Sequence, residues 1–151
     1  MKSMKIDHVA YITSDMEKTI RFYRDLLGMR LETGVGHEGF RHYFFRAGDS
    51  YVAFFEYDEA RPMEYNKFHG DKTDLPIGFD HISFTVNSRE DLFAMKDKLE
   101  AADIKVDGAV DHGVFWSIYF FDPVNNLPLE LTWNFVEYTD YPAMYEVEPM
   151  A

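Results

Sequence analysis

The chain contains no cysteine and comparatively few basic residues. Disulfide bonds, zinc–thiolate sites and cysteine nucleophiles are therefore excluded. Lys and Arg together number 15 against 27 Asp and Glu, which gives a formal net charge of -12. Nucleic acid and anionic membrane surfaces are poor partners for such a chain because like charges repel. No apolar run approaches the ~20 residues of a membrane span, and no signal peptide is recognisable, so we expect a cytoplasmic protein.

Apolar side chains are plentiful enough to build a packed core. Hydrophobic residues make up 46% of the 151 residues and aromatic residues make up 17%. This composition excludes an intrinsically disordered chain. A length of 151 residues fits one structural domain, or two small units that share one core.

One order of predicted elements occurs twice along the chain. In the first half a β-branched and aromatic run predicts a strand over 5–12, and Ser14 with Glu17 has the spacing of a helix N-terminus. Gly28 is predicted to end that helix, and three strands follow at 29–35, 40–47 and 51–57. The second half repeats the order, with a strand at 79–86, a helix from Ser88, and strands at 104–110, 115–121 and 127–133.

The two halves are related by a nearly constant spacing. His8 and His81 lie 73 residues apart (81 − 8), whereas Ser14 and Ser88, and likewise Glu56 and Glu130, lie 74 apart (88 − 14 and 130 − 56). A repeat at one offset indicates a duplicated structural unit. We therefore predict an α+β fold of two βαβββ modules whose curled mixed sheets surround a shared metal cavity. The predicted boundaries are 1–57 and 79–134, with a connecting loop at 58–78 and a tail at 135–151.

Strand alternation assigns the repeated residues to a polar sheet face. Side chains alternate across a strand, so His81 lies on the side opposite Ile82 and Phe84, and Glu130 lies on the side opposite Leu129 and Leu131. We expect His8 and Glu56 to face the same hollow from the first half. Two imidazoles and two carboxylates suit one divalent ion, namely Zn, Ni, Fe(II), Mn or Co.

The alternative reading of these four residues is structural. A single strand histidine is usually a hydrogen-bonded or surface residue, and a glutamate at a strand end is usually solvated. The recurrence of both residue types favours the metal site, because two buried carboxylates without a cation would cost several kcal/mol.

Several short motifs give the chain a family resemblance. They are Asp7-His8-Val9, the helix end from Phe22-Tyr23 to Gly28-Met29, Asp80-His81-Ile82, and Asp122-Pro123 before Leu129-Glu130-Leu131. The chain resembles the vicinal oxygen chelate superfamily, which includes glyoxalase I, fosfomycin-resistance enzymes, extradiol dioxygenases and metal-free bleomycin-binding proteins. The resemblance covers about 5–133. One departure is the turn from Asp122 to Asn126, where asparagine supplies the left-handed conformation that glycine would otherwise take.

The resemblance implies a metal-dependent enzyme that acts on a small substrate with two vicinal oxygens. The first hypothesis is a glyoxalase I-like isomerase or lyase that works through a metal-stabilised enediolate. Glu130 or Glu56 would then move the proton. Glutathione-using members usually carry an arginine shortly after the first histidine, and this chain has Val9-Ala-Tyr-Ile12 there.

The second hypothesis is an extradiol (catechol) dioxygenase that uses Fe(II) held by His8, His81 and Glu130. His69 and Tyr119 lie where such enzymes place further site residues, and His112 precedes the strand of Tyr119. A fourth ligand at Glu56 would argue against this chemistry, because it would occupy a position that the substrates need.

The third hypothesis is a non-catalytic binding or resistance protein. Phe44, Phe54, Phe115 and Tyr119 could line a pocket for a planar ligand, although core packing explains such residues equally well. Arg41 and Arg46 are candidates for contact with an anionic substrate group. Exposed edges of two short curled sheets favour pairing, so we expect a homodimer whose site lies within one chain or across two.

Overall fold

The computed structural model of the protein describes residues 4–64, 68–74 and 77–136. Most of the expected tail, 137–151, and parts of the expected connecting loop lie outside the described residues. No helix in the described part of the chain combines the length and the apolar character that crossing a membrane requires.

The first sheet is built from four strands in the order β1-β4-β3-β2. The strands are β1 (His8–Thr13), β2 (Leu31–His37), β3 (Phe40–Ala47) and β4 (Ser50–Glu56). Strand β1 runs parallel to β4, whereas β3 is antiparallel to both of its neighbours. Helix α1 (Met16–Ile20) leads into a π-helical segment, Arg21–Leu26, and together they connect β1 to β2.

The second sheet repeats this topology in the order β5-β8-β7-β6. Its strands are β5 (Ile82–Thr85), β6 (Asp107–Asp111), β7 (Phe115–Phe121) and β8 (Pro128–Asn134), and helix α2 (Arg89–Ala101) follows β5. Strands β5 and β8 are parallel, and β7 is antiparallel to both neighbours. Two curled mixed sheets with one helical connection each confirm the predicted α+β class.

One of the two helices begins where the sequence predicts, and the other begins one residue later. Ser88 caps α2 as predicted, and its hydroxyl accepts from the backbone N–H of Asp91 at 3.0 Å. In the first half the cap is Asp15 rather than Ser14, because the carboxylate of Asp15 accepts from the N–H of Lys18 at 2.9 Å. The structural offset between the caps is therefore 73 residues (88 − 15), the same as between His8 and His81.

One hydrophobic cluster joins the helix-facing sides of both sheets. From the first half it contains Met16, Phe22, Tyr23, Phe45 and Phe54, and from the second it contains Leu92, Leu99, Ile118, Phe120 and Leu129. Both helices contribute side chains to this shared core, and this packing rather than intrinsic helix propensity stabilises them.

A buried polar contact also joins the two halves. The Tyr23 hydroxyl donates to Asp122 at 2.9 Å, and the Asn125 amide reaches both Asp122 at 2.9 Å and Thr19 at 3.2 Å. Asp122 begins the turn between β7 and β8, in which Asn126 has a φ of 57°. The prediction that asparagine takes the left-handed position of this turn is confirmed, and β8 follows intact.

Candidate functional site

An imidazole and a carboxylate meet on the face of the second sheet that points away from its helix. The Nε2 atom of His81 lies 2.9 Å from Oε2 of Glu130. His81 stands directly before β5, and Ser83, two residues further on, pairs with Glu130 of β8. Because side chains alternate along a strand, His81 and Glu130 share one face of the sheet.

Glu130 is buried among hydroxyl groups. Ser117 donates to Oε1, and the Thr132 hydroxyl donates to the same oxygen at 3.0 Å. Burial by itself would raise the pKa of Glu130, but these hydrogen bonds and the neighbouring His81 outweigh it and lower the pKa overall. The carboxylate is therefore an anion at neutral pH, the form that binds metal ions.

Each of the two predicted histidine ligands has its ring held by the aspartate that precedes it. Nδ1 of His8 lies 2.6 Å from Asp7, and Nδ1 of His81 lies 2.5 Å from Asp80. Asp80 also accepts from the backbone N–H of Gly70 at 3.0 Å. A carboxylate on Nδ1 fixes the tautomer that leaves Nε2 available as a metal ligand. The donor chemistry in both halves thus fits a divalent ion.

Three further predicted residues gather around the His81–Glu130 pair. His69 is 8% exposed, and its ring centroid lies 5.2 Å from that of His81 and 4.9 Å from that of Tyr119. Tyr119 pairs directly with Glu130 across β7 and β8. Its hydroxyl lies 2.8 Å from Nε2 of the exposed His112, and burial raises the pKa of Tyr119 to about 12.

Glu56 lies elsewhere, on the helix-facing side of the first sheet. Arg41 donates to its two oxygens at 2.6 and 2.8 Å, and the backbone N–H of Met16 donates at 2.8 Å. The Arg41 guanidinium is the main reason why the pKa of Glu56 is lowered. The cation that neutralises this carboxylate is therefore an arginine, and Arg41 is not available for a substrate.

The expectation that Glu56 faces the same hollow as His8 is wrong, and strand register gives the reason. His8 pairs with Tyr51 and Thr13 pairs with Glu56, so five residues, or roughly 16 Å of strand, separate His8 from Glu56. Ala53 pairs with Ala10 as Glu130 pairs with Ser83. Equivalent positions of β4 and β8 are therefore 77 residues apart (130 − 53) rather than 74. Glu56 lies three residues beyond the position equivalent to Glu130, and an odd number of residues places its side chain on the opposite face of the sheet.

His8 stands on the open face of the first sheet, apart from the other candidates. Its ring meets Phe44 edge-on at a centroid distance of 5.8 Å. In the described part of the chain, no three side chains of the metal-binding types converge closely enough to hold an ion. One chain therefore assembles the His81–Glu130 pair and leaves His8 outside it.

The structure places the four aromatic residues expected at a pocket in different environments. Tyr119 is at the site, and Phe44 lies beside His8. Phe115 packs against His112 at a centroid distance of 4.6 Å. Phe54 is fully buried in the core against Tyr23 and Phe45, so it is not carried forward as a substrate contact.

Sequence reasoning did not assign a role to the groups that orient the site. These are the hydroxyls around Glu130, from Ser117 and Thr132, and the aspartates on the two histidines, Asp7 and Asp80. The signal for the aspartates was present, because Asp stands directly before both His8 and His81. The hydroxyls carried a weaker signal, namely their position on the same predicted face as Glu130.

With this fold and site, the chain belongs to the Glyoxalase/Bleomycin resistance protein/Dioxygenase superfamily, whose family model matches residues 5–131. A probable lactoylglutathione lyase of Synechocystis is 31% identical over 123 residues, which cover 77% of this chain and 86% of the relative.

Solved structures share the same fold. The crystal structure of SMU.1112c superposes with a TM-score of 0.65 at 26% identity and covers 87% of this chain and 99% of its own. A fosfomycin resistance protein, FosX, from Listeria monocytogenes, solved with Mn(II) and a dihydroxypropylphosphonic acid, superposes with a TM-score of 0.66. Its identity is 19%, over 92% of this chain and 98% of that one, so this likeness concerns the fold alone.

Proposed function

We propose that the protein is an enzyme that uses one divalent metal ion to act on a small molecule with two neighbouring oxygens. The observation that carries the proposal is the His81–Glu130 pair, 2.9 Å apart, with the far nitrogen of the imidazole fixed by Asp80. His8, oriented in the same way by Asp7, is the proposed third ligand. Glu56 is left out because Arg41 already neutralises it.

A second copy of the chain is the proposed source of the third ligand. His8 lies on an open sheet face beside Phe44, and the His81–Glu130 pair lies on the corresponding face of the other sheet. A homodimer in which the first sheet of one protomer meets the second sheet of its partner would complete two identical sites. Such a closed, two-fold arrangement is the commonest form of oligomer.

The geometry favours oxygen-dependent cleavage of a catechol as the reaction. A metal bound by two histidines and one carboxylate on one side supplies Lewis acidity and keeps positions open for two substrates. His69 and Tyr119 crowd the same pair, and Tyr119 touches the exposed His112. This contact gives a hydrogen-bonded route along which a substrate proton could pass from the buried site to solvent.

A glyoxalase-like isomerase or lyase is the second candidate. It is supported by the likeness to a probable lactoylglutathione lyase at 31% identity. In this reaction Glu130 would move the proton, since Glu56 is on the opposite side of its sheet. A purely binding role is less favoured, because oriented imidazoles and an ionised buried carboxylate serve no purpose in an apolar binding cleft.

Metal analysis and two assays on matched variants test the proposal. We expect about one divalent ion per chain in the wild type, and loss of the ion in Glu130→Gln and His81→Ala. Oxygen uptake with catechol and Fe(II) is expected to fall at least about 100-fold in Glu130→Gln, because ligands matter more than their supporting groups.

Glu56→Gln is the matched control, as it removes the same charge from the other half. It should keep both its metal and its activity. Turnover of a glutathione hemithioacetal with Ni or Zn, without oxygen uptake, would select the isomerase instead. A wild-type protein that binds no divalent ion would overturn the metal site altogether.

A further inference from the structure

One cavity lined by described residues of both halves lies apart from the metal-binding candidates. It has a volume of about 700 Å³ and opens between the first strands of the two halves, β1 and β5. His8, His81 and Glu130 are absent from its walls. A volume of this size accommodates a small organic molecule.

The walls of the cavity are mostly apolar and come from both halves of the chain. Leu27, Met29 and Val52 contribute from the first half, and Phe84, Met95 and Leu131 contribute from the second. An apolar cleft shared by two sheets favours a ligand with a hydrocarbon or aromatic body, because burial of apolar surface drives its binding.

Two arginines, Arg30 and Arg46, stand on one side of this cleft. Both pair with the same carboxylate, Glu32, and both N···O distances are 3.3 Å. Charged hydrogen bonds of good geometry measure about 2.7–2.9 Å, so both pairings are loose. The exposed Asp49 is a further neighbouring anion that acts on Arg46.

Arg46 has donors left for a ligand. Its guanidinium lies 4.3 Å from the ring centroid of Tyr51, which also lines the cavity. Among the described residues the guanidinium makes one hydrogen bond, the long contact with Glu32, whereas it carries five N–H donors in a planar fork. The hydrogen bond that Arg46 donates to Glu32 raises the pKa of Arg46, so the side chain keeps its charge.

We propose that this cavity binds an amphipathic carboxylate, with the carboxylate group on Arg46 and the apolar body between the two halves. The fork of Arg46 matches the two oxygens of a carboxylate, and the described residues that line the cavity include no acidic side chain to anchor a cation. Two neighbouring arginines at one cavity stand out in a chain whose net charge as a whole is -12. This site needs no metal and stands independently of the proposed enzyme activity.

Competition binding on the full chain tests the proposal. The fluorescent probe 8-anilinonaphthalene-1-sulfonate carries an apolar body and one anionic group, and octanoate, octanol and octylamine serve as competitors. Chelator is present throughout, so that no metal site contributes. We expect octanoate to compete at least about tenfold better than octanol or octylamine, since a charged hydrogen bond contributes about this factor.

Three variants separate the anchor from the cavity. Arg46→Gln should weaken octanoate about tenfold and leave octanol unchanged. Ala47→Leu, which adds bulk to the cavity wall, should weaken octanoate and octanol alike. Arg61→Gln, at an arginine that is 85% exposed outside the cavity, should change nothing.

Each outcome decides the proposal, provided that the circular dichroism of each variant matches that of the wild type. Equal octanoate affinity in the wild type and Arg46→Gln would overturn it. The same holds if octanol competes as well as octanoate, if Ala47→Leu has no effect, or if the wild type binds neither the probe nor octanoate.

Discussion

Glu56 and Arg41 form an ion pair that stabilises the first half of the chain. The carboxylate is 15% exposed and also caps the start of α1 through the N–H of Met16. The pKa of Glu56 is lowered in the folded state, chiefly by Arg41. Its contribution to stability is therefore complete above the pKa of the unfolded chain and is lost as the pH falls through the folded value.

Glu56→Gln should lower the free energy of unfolding by about 1–2 kcal/mol at pH 7, because a charged, partly buried hydrogen-bonded pair is broken. The difference from the wild type should shrink as the pH falls below the pKa of an unfolded glutamate, about 4.3. It should vanish only once the folded wild-type carboxylate, whose pKa is lower, is protonated as well. Urea unfolding at several pH values measures both quantities.

Glu17→Gln is the control for this prediction. Glu17 meets the same arginine at 2.7 Å but is 63% exposed, so we expect a change within a few tenths of a kcal/mol. A Glu56→Gln protein that is as stable as the wild type at pH 7 would contradict the structural role assigned to this residue.

At the scale of elements, the hydroxyl of Tyr23 links the helical segment of the first half to the β7–β8 turn of the second. Tyr23 is fully buried, and its partner Asp122 is buried as well. Tyr23→Phe removes the donor and leaves the carboxylate with one hydrogen bond fewer. We expect a loss of about 2 kcal/mol in the free energy of unfolding, measured by urea denaturation.

Tyr57→Phe removes the same group from a ring that is 49% exposed and should be neutral. Equal stability of the two variants would show that the Tyr23–Asp122 contact contributes nothing. Retained metal content in Tyr23→Phe would show that the contact acts on stability rather than on the site.

The element order was predictable from the sequence because hydrophobic alternation and capping residues are local signals. Strand β3 and strand β7 begin and end at the predicted residues, 40–47 and 115–121. The pairing of β1 with β4 was not predictable. It depends on the lengths of the intervening connections, and paired residues lie four residues further apart in the second half than in the first (129 − 82 against 51 − 8).

This length difference explains why the predicted sheet face was correct for some site residues and wrong for Glu56. His81 and Glu130 were placed on one face by strand alternation alone, and the structure brings them together. Glu56 was placed by analogy with Glu130 at a constant spacing, and that spacing does not hold at β4. Alternation along a strand therefore predicted which side chains share a face of that strand. The pairing register between strands, which decides whether two faces coincide, came only from the structure.

At the scale of the whole molecule, the proposed site requires two chains. Mixing His8→Ala with Glu130→Gln and refolding the mixture tests the sharing. If each site takes His8 from one protomer and Glu130 from its partner, a mixed dimer contains one intact site. We expect recovery of about a quarter of the wild-type metal content, from random pairing of the two chains.

Neither variant alone should regain metal after the same refolding. If all ligands belonged to one chain, every chain in the mixture would carry a defect and no site would recover. Absence of recovery, with wild-type protein refolding normally in parallel, would therefore contradict the shared site.

The register of the first sheet also bears on how this chain is related to four-ligand proteins. Ala53 occupies the position in β4 that corresponds to Glu130 in β8, on the same face as His8. Alanine and glutamate codons differ at the second base, provided that the third is a purine. A single mutation could thus add a fourth ligand, a second carboxylate, on the sheet face that carries His8, or remove one from a four-ligand protein.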